Sequence, residues 1–519
     1  MRIDWLDKLM IAASAVAVLV LILLFVVSPY QSDFDESFQI TGAHSLAQGL
    51  GYTVSSISTV ALETQQAWIT GWPMGFSGYL LCMSMLFGCS AELAIKLFTL
   101  FCILFGSYNW IRLYANVNSG YKNIGFFLAF ISITLGACFT SKTTLFYWSF
   151  FPLITYWLLQ MNDRREQRYY YIKLFLISLL CALLIAFRFA TVGLIAPIGL
   201  FILYYRRTEW MRIIMDGLFF IILPALVFLG LLWVNKHYSG MASSMFDAEK
   251  SHINFSSGWL RHLSTALFAN YHLSVPLLSS VTVDDTKSFV FQFAACIVMA
   301  FLLVRKDDKK ITQFSLLFLC FWLGNYLFLL ALNMMSYTQQ SVWVPTGDSR
   351  YYWHMACIPI LLLIYLLKDF VALRIGAFIV CLYLCWSVIA REQLRFVKNT
   401  LSYSQSVAIR KVLEKKSGQH QLVILPELNP DLNRKVFQMV QFKTVQGYLT
   451  GFDHSIQTLK AKQITTVSIV ILPECMEKPL FNGTSCRQLV ADGSFEYTDL
   501  KFCHIYSKTI APGKSMLSE

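Results

Sequence analysis

Long apolar segments recur along most of this chain, and they constrain its fold more than any other feature. A bilayer core of about 30 Å is crossed by roughly 20 apolar residues in helical form. Of the 519 residues, 56% are hydrophobic and only 14% are charged, whereas an ordinary soluble domain has about 25% charged residues. The sequence therefore predicts a polytopic α-helical membrane protein and excludes a soluble globular fold.

About twelve apolar segments are candidate membrane spans. They lie near residues 9–28, 73–88, 91–113, 122–138, 143–160, 171–187, 191–205, 213–235, 288–304, 312–332, 351–367 and 370–389. The first is longer than a secretory signal and has no small-residue cleavage site, so we expect an uncleaved anchor. A cytoplasmic N-terminus and an external C-terminal region need an odd number of spans. We expect roughly 11 to 13 spans, with segment 73–88 the least suited to cross.

The formal charge of +12 is concentrated in short clusters between the apolar segments. The clusters are Arg164, Arg165 and Arg168; Arg206, Arg207 and Arg212; and Arg305, Lys306, Lys309 and Lys310. Such clusters favour the cytoplasmic side of a membrane. Topology therefore explains the basicity without a nucleic-acid partner, and it places loops 30–72 and 236–287 outside the cytoplasm.

The composition becomes charged and mixed after Arg391. Predicted helices and strands alternate there at 403–416, 421–425, 431–442, 453–463, 465–472 and 495–506. This order indicates a small α/β domain outside the cytoplasm. The expected division is a transmembrane domain, 1–390, and an extracytoplasmic α/β domain, 391–519. Cys475 and Cys486 are a candidate disulfide pair in that compartment.

An acidic stretch without Lys or Arg follows the first apolar segment. Between Tyr30 and Trp72 its acids are Asp33, Asp35, Glu36 and Glu63. One interpretation is local, because Asp33 or Asp35 would cap a helix and complement its dipole. The other is chemical, because a carboxylate at the membrane boundary can act as a general base. Asp35 and Glu36 together could also hold a divalent cation.

The residues after the acidic pair have a helical pattern. Ile40, Ala43, Ala47 and Leu50 share one face, which predicts a helix lying on the membrane surface or against the bundle. Gly49 and Gly51 are expected to end that helix.

The order of these motifs resembles a known family. The helix pattern is carried by Ala43, Leu46, Ala47, Gly49, Gly51 and Tyr52. A turn with Trp72, Pro73 and Gly75 then precedes the next apolar segment. This arrangement resembles the GT-C membrane glycosyltransferases, and within them the protein O-mannosyltransferase and aminoarabinose-transferase branch.

The resemblance implies inverting transfer of a sugar from a polyprenyl-phosphate carrier to an acceptor. Asp35 would be the base that deprotonates the acceptor, Glu36 would orient the acceptor or an ion, and Asp33 is the rival base. Tyr52 and Trp72 would belong to the substrate site. The implied location is the inner membrane of a bacterial cell, with the active site on the extracytoplasmic side. The sugar stays open, and so does the acceptor, which could be a protein, a lipid or a glycan.

Two arginines are candidates for contact with the carrier phosphate, since a guanidinium matches phosphate oxygens bidentately. Arg350, followed by Tyr351, opens a late apolar segment, as an Arg-Tyr pair does in the family. Arg188 stands where two apolar segments meet, a costly place for a charge that is neither used nor hydrated. The alternative for both arginines is an interfacial side chain that snorkels to the membrane surface.

A transporter or lipid flippase is the principal alternative to an enzyme. Such a protein is expected to have ionisable residues in mid-span and broken helices in related halves. Here the charges lie chiefly at segment ends, and the sequence has no convincing repeat. A third reading makes residues 391–519 a binding module with the membrane part as its scaffold.

Overall fold

A computed structural model gives the fold. It describes residues 5–27, 34–57, 64–118, 123–125, 127–128, 131–132, 135, 142–161, 169–206, 210–243, 309–335, 361, 365, 375–376, 379, 403–416, 421–425, 445–450, 466–471, 479–481, 484–485, 487, 491, 495–501 and 503–509. The predicted segment 288–304 and nearly all of 351–367 and 370–389 lie outside the described residues, as do the helices predicted at 431–442 and 453–463.

Helices make up most of the described chain. They are α1 (Trp5–Val27), α2 (Phe34–Ala47), α3 (Gly75–Phe87), α4 (Ala91–Val117), α5 (Lys142–Gln160), α6 (Tyr170–Phe187), α7 (Ile195–Arg206), α8 (Trp210–Ser239), α9 (Lys309–Met335) and α10 (Tyr403–Lys416). A 3₁₀ turn, Phe189–Leu194, joins α6 to α7. These bounds follow the apolar segments of the sequence to within a few residues wherever the two can be compared.

Four of the described helices, α1, α4, α6 and α8, are long and apolar enough to cross a membrane. Helix α3 has 13 residues, which at 1.5 Å per residue span about 20 Å and fall short of the hydrocarbon core. This length agrees with the expectation that segment 73–88 is the least suited to cross.

The chain divides into two compact units. One contains Met1–Val27, Thr70–Phe76 and Leu93–Arg395, and we call it the helical unit. The other, the mixed unit, contains Ser28–Ile69, Ser77–Glu92 and Phe396–Glu519. The acidic helix α2 therefore belongs to the same unit as the C-terminal strands.

Aromatic rings and buried polar contacts hold the helical unit together. Trp110 of α4 is fully buried, with its ring centroid 6.3 Å from that of Trp148 on α5. Helix α6 packs against α8, where Ser178 Oγ donates to the carbonyl oxygen of Phe220 at 2.7 Å. Hydrogen bonds between apolar helices satisfy polar groups that lipid cannot satisfy.

The described part of the mixed unit contains nine strands beside its helices. The strands are β1 (Thr53–Ile57), β2 (Thr64–Trp68), β3 (Gln421–Leu425), β4 (Val445–Thr450), β5 (Thr466–Ile471), β6 (Pro479–Phe481), β7 (Thr484–Ser485), β8 (Glu496–Asp499) and β9 (His504–Thr509). Strands β1 and β2 pair antiparallel in register Thr53 to Trp68. The five-stranded sheet has the order β4-β3-β5-β9-β8, with β3 parallel to both of its neighbours. Strand β1 also contacts β4, at the edge of that sheet.

Cys503 precedes β9 with a buried, free thiol. Burial, and secondly the negative charge of Asp499, raise the pKa of this thiol to about 12. Cys503 is therefore protonated at neutral pH and unreactive as a nucleophile. The candidate pair Cys475 and Cys486 lies outside the described residues.

Candidate functional site

The acidic pair occupies the first turn of α2. Because this helix begins at Phe34, Asp35 and Glu36 are its second and third residues, next to the positive end of the helix dipole. Glu36 is only 1% exposed. The structure describes Asp35 through its place in the helix backbone alone, and Asp33 lies outside the described residues.

The predicted apolar face of α2 is shorter in the structure than in the sequence pattern. Ile40 and Ala43 are buried, as expected, but Leu50 is 45% exposed and Ala47 is exposed. The reason is that α2 ends at Ala47, and Gly49 then turns the chain with a φ of +75°. The prediction that glycines end the helix is confirmed, whereas Leu50 lies beyond the end of the helix and is not on its face.

A long-range hydrogen bond fixes the second turn of α2. Ser77 Oγ donates to the backbone carbonyl oxygen of Gln39 at 2.6 Å, across 38 positions of sequence. The side chain of Gln39 is 1% exposed, and neither its oxygen nor its nitrogen has a hydrogen-bond partner among the described residues. Thr41 is also 1% exposed, and its hydroxyl likewise has no hydrogen-bond partner among the described residues. Sequence reasoning missed Gln39, because its burial depends on contacts remote in sequence.

Tyr52, predicted to contact substrate, is fully buried within the mixed unit. Its ring lies where a Cβ on Gly42 would be, 2.2 Å from the ideal position of that atom. It meets Trp68 edge to face at a centroid distance of 6.1 Å. Burial raises the pKa of Tyr52 well above its ordinary value, and a hydrogen bond with Ser77 partly offsets this effect. In the structure Tyr52 therefore joins α2 to the β1–β2 hairpin as a neutral phenol.

The Trp-Pro turn adjoins the end of α6 within the helical unit. Trp72 is half-buried and Pro73 is buried. Gly75 follows them so closely packed that a Cβ there would lie 2.3 Å from the carbonyl oxygen of Ala186. The turn and the chain segment leading to Arg188 are thus fixed against each other.

Arg188 interrupts the helical run between α6 and the 3₁₀ turn. Its backbone is extended, with φ −155° and ψ 117°, and its N–H donates to the carbonyl oxygen of Leu184 at 2.8 Å. The half-buried guanidinium donates to the hydroxyl of Thr144 at the start of α5. Arg188 is therefore held at a defined place at the helix ends.

Lys142, the first residue of α5, is a second cation in this part of the helical unit. It is 3% exposed, and its Nζ lies 5.5 Å from the centroid of the Phe25 ring. It stands two residues before Thr144, the partner of Arg188. Sequence reasoning missed Lys142, because it stands directly before a predicted span and was not considered a site residue. A signal was present, because Lys142 is the only charged residue between Lys122 and Asp163.

The elements that carry Lys142 and Arg188 have no acidic residues of their own. Helices α5 and α6 and the 3₁₀ turn between α6 and α7 contain no Asp or Glu.

The roles of the site residues remain predictions, and two further candidates are not described by the structure. Arg350 and Tyr351 lie outside the described residues. Within the described part of the chain, no three His, Cys, Asp or Glu side chains are grouped as a metal site would require.

Comparison with known proteins gives a distant structural likeness. No family model matches the chain, and no curated protein matches it. Among solved structures, the chain is similar to ArnT from Cupriavidus metallidurans, crystallised in the apo state. The two share 12% sequence identity and a TM-score of 0.46, over 96% of this chain and 98% of that one. A likeness at this level assigns no residue roles.

Proposed function

We propose that this chain is an integral-membrane, inverting glycosyltransferase that moves a sugar from a polyprenyl-phosphate carrier to an acceptor on the extracytoplasmic side. The observation that carries the proposal is the burial of Glu36 beside Asp35, in the first turn of the helix that follows the first candidate span. The motif order from Asp35 to Gly75 supports the same class of enzyme. The proposed location is the inner membrane of a bacterial cell.

The proposed reaction is a single displacement at the anomeric carbon of the sugar. An acceptor hydroxyl or amine attacks that carbon and gives its proton to Asp35, the proposed base. The bond from the anomeric carbon to the phosphate oxygen breaks with its electron pair going to the phosphate, and the configuration inverts. Glu36 orients the acceptor or an ion, and Asp33 is the rival base. A divalent cation bound by Asp35 and Glu36 would supply electrostatic stabilisation of developing charge.

The proposed cations for the leaving phosphate are Arg188 and Lys142, with Arg350 and Tyr351 as a further pair from the sequence. Oriented cations act by offsetting charge as it develops in the transition state. The contact of Arg188 with Thr144 supports this role, because it holds the guanidinium in place. Trp72 belongs to the proposed substrate site. Tyr52 contributes by fixing α2, the helix that carries the acids.

The proposed domain division places the membrane-embedded catalytic part in 1–390 and an extracytoplasmic α/β domain in 391–519. The strands and the helix described after residue 402 are compatible with an α/β arrangement.

Turnover of a lipid-linked sugar tests the function directly. Purified protein in lipid nanodiscs, supplied with a panel of polyprenyl-phosphate-linked pentoses and hexoses, is expected to release free polyprenyl phosphate in the presence of membrane extract as acceptor source. Thin-layer chromatography of the labelled lipid measures the release. In sealed vesicles, movement of intact donor across the bilayer without release would instead identify a transporter.

Arg188→Met is expected to lower turnover by roughly 10²-fold, because the leaving phosphate loses a fixed cation. Arg188→Lys is expected to recover part of the rate, since an ammonium keeps the charge but not the planar pair of donors. The matched control is Arg112→Met. The guanidinium of Arg112 stacks 4.1 Å from the centroid of the Tyr156 ring, within the protein itself. Equal losses at positions 188 and 112 would contradict a role in phosphate binding.

A further inference from the structure

Among the described residues of the mixed unit, the buried amide of Gln39 is the polar group that most needs an external partner. Its side chain is 1% exposed, and both of its polar atoms are without a hydrogen-bond partner among the described residues. Buried amides in native proteins nearly always have such partners, because leaving them unpaired costs free energy. The amide is therefore suited to a ligand that both donates and accepts hydrogen bonds.

Gln39 and Glu36 lie on the same face of α2. They are three residues apart, so their side chains are neighbours on the helix, roughly 5–6 Å apart at Cβ. Both side chains are 1% exposed. The face therefore offers a carboxylate that accepts hydrogen bonds beside an amide that does both.

The backbone at Gln39 holds this face in place. Its carbonyl oxygen accepts the hydrogen bond from Ser77 Oγ at 2.6 Å, which ties the second turn of α2 to α3. Ile40 and Ala43, buried on adjoining positions of the helix, keep the surroundings apolar. A polar pair fixed in apolar surroundings is the usual composition of a site for a small polar ligand.

We infer that Gln39, with Glu36, binds the hydroxyl groups of a sugar in the active site, and that Gln39 is a specificity-determining residue. Sugar hydroxyls both donate and accept hydrogen bonds, as the amide requires. This inference rests on the proposed function and deepens it. The hydroxyls belong either to the sugar of the donor lipid or to a sugar-containing acceptor.

Gln39→Met is the decisive variant, because Met has nearly the volume of Gln without its polar atoms. If the amide has no partner within the protein, the variant is expected to unfold at the same temperature as the parent or a higher one. If the amide binds sugar, KM is expected to rise about tenfold or more, since a site loses a hydrogen bond to its substrate. Thermal unfolding in nanodiscs and the donor-release assay measure the two effects.

Thr41→Val is the matched control. Thr41 also has a buried hydroxyl without a partner among the described residues, but it lies about 140° from Glu36 around the helix. Its removal is expected to leave KM unchanged. Two results overturn the inference: unchanged KM in Gln39→Met, or a loss of stability in that variant.

Binding measurements test this inference separately from the proposed function, because they do not require cleavage of the donor. Ligand-induced thermal shifts are measured with polyprenyl-phosphate sugars, with polyprenyl phosphate lacking a sugar, and with methyl glycosides as acceptor-like probes. A shift specific to sugar-bearing probes, present in the parent and absent in Gln39→Met, supports the inference even where no donor is cleaved. A shift with donor lipid assigns the hydroxyls to the donor sugar, whereas one with methyl glycosides assigns them to the acceptor. Absence of any sugar-dependent shift in the parent overturns it.

Discussion

Replacing Asp35 by Asn is expected to lower the rate of sugar transfer by about 10²- to 10⁴-fold, the usual contribution of a positioned general base. Asn keeps the size and shape of the side chain but cannot take a proton from the acceptor. Asp35 is the second residue of α2, where Asn is tolerated, so the variant is expected to fold. Single-turnover release of labelled polyprenyl phosphate measures the chemical step apart from donor binding.

Companion variants assign the base. Asp33→Asn tests the rival base, and Glu36→Gln tests the acid that orients the acceptor. The base is the residue whose substitution abolishes the chemical step. The control is Glu92→Gln, which changes a carboxylate in the first turn of α4 and is expected to leave the rate unchanged. Full turnover in Asp35→Asn would remove Asp35 from the mechanism.

Gly75→Ala is expected to destabilise the protein by about 3 kcal/mol, the upper part of the usual range for overpacking. The added Cβ would lie 2.3 Å from the carbonyl oxygen of Ala186 and 2.9 Å from Cδ2 of Phe187. The carbonyl belongs to the backbone of α6, so relief requires either α3 or α6 to move. Because Arg188 follows directly, we expect turnover to fall together with stability.

A second glycine of α3 provides a control for which the expected change in stability has the opposite sign. Gly78 in α3 has nothing within 4 Å of an added Cβ, so Gly78→Ala is expected to stabilise by about 0.5–1 kcal/mol through reduced backbone freedom. Apparent melting temperatures in one detergent, measured at one heating rate, compare the pair. Similar melting temperatures for the two variants would show that the contact between Gly75 and Ala186 is not tight.

The helices could be predicted from the sequence because hydropathy is a local property. Runs of apolar residues predicted α1, α4, α6 and α8 to within a few residues. Gly49 and Gly51 predicted the end of α2, and both have positive φ values in the structure. The interruption at Arg188 was also visible, as a charge between two apolar runs.

The β1–β2 hairpin was not predicted, because its strands are short and polar and carry no apolar alternation. The burial of Gln39 could not be predicted either, since it depends on Ser77, which is 38 positions away. Lys142 was missed for a related reason. Its contact with Phe25 joins two helices far apart in sequence, and no periodicity records such a pairing.

The contact between β1 and β4 has a consequence for self-association. Among the described strands, β4 is at the edge of the five-stranded sheet. An open edge offers unpaired backbone groups to any other strand. The β1–β2 hairpin, which contacts β4, leaves less of that edge open to a second molecule. We therefore expect a fragment that begins at residue 396, which lacks the hairpin, to self-associate more readily than the whole chain.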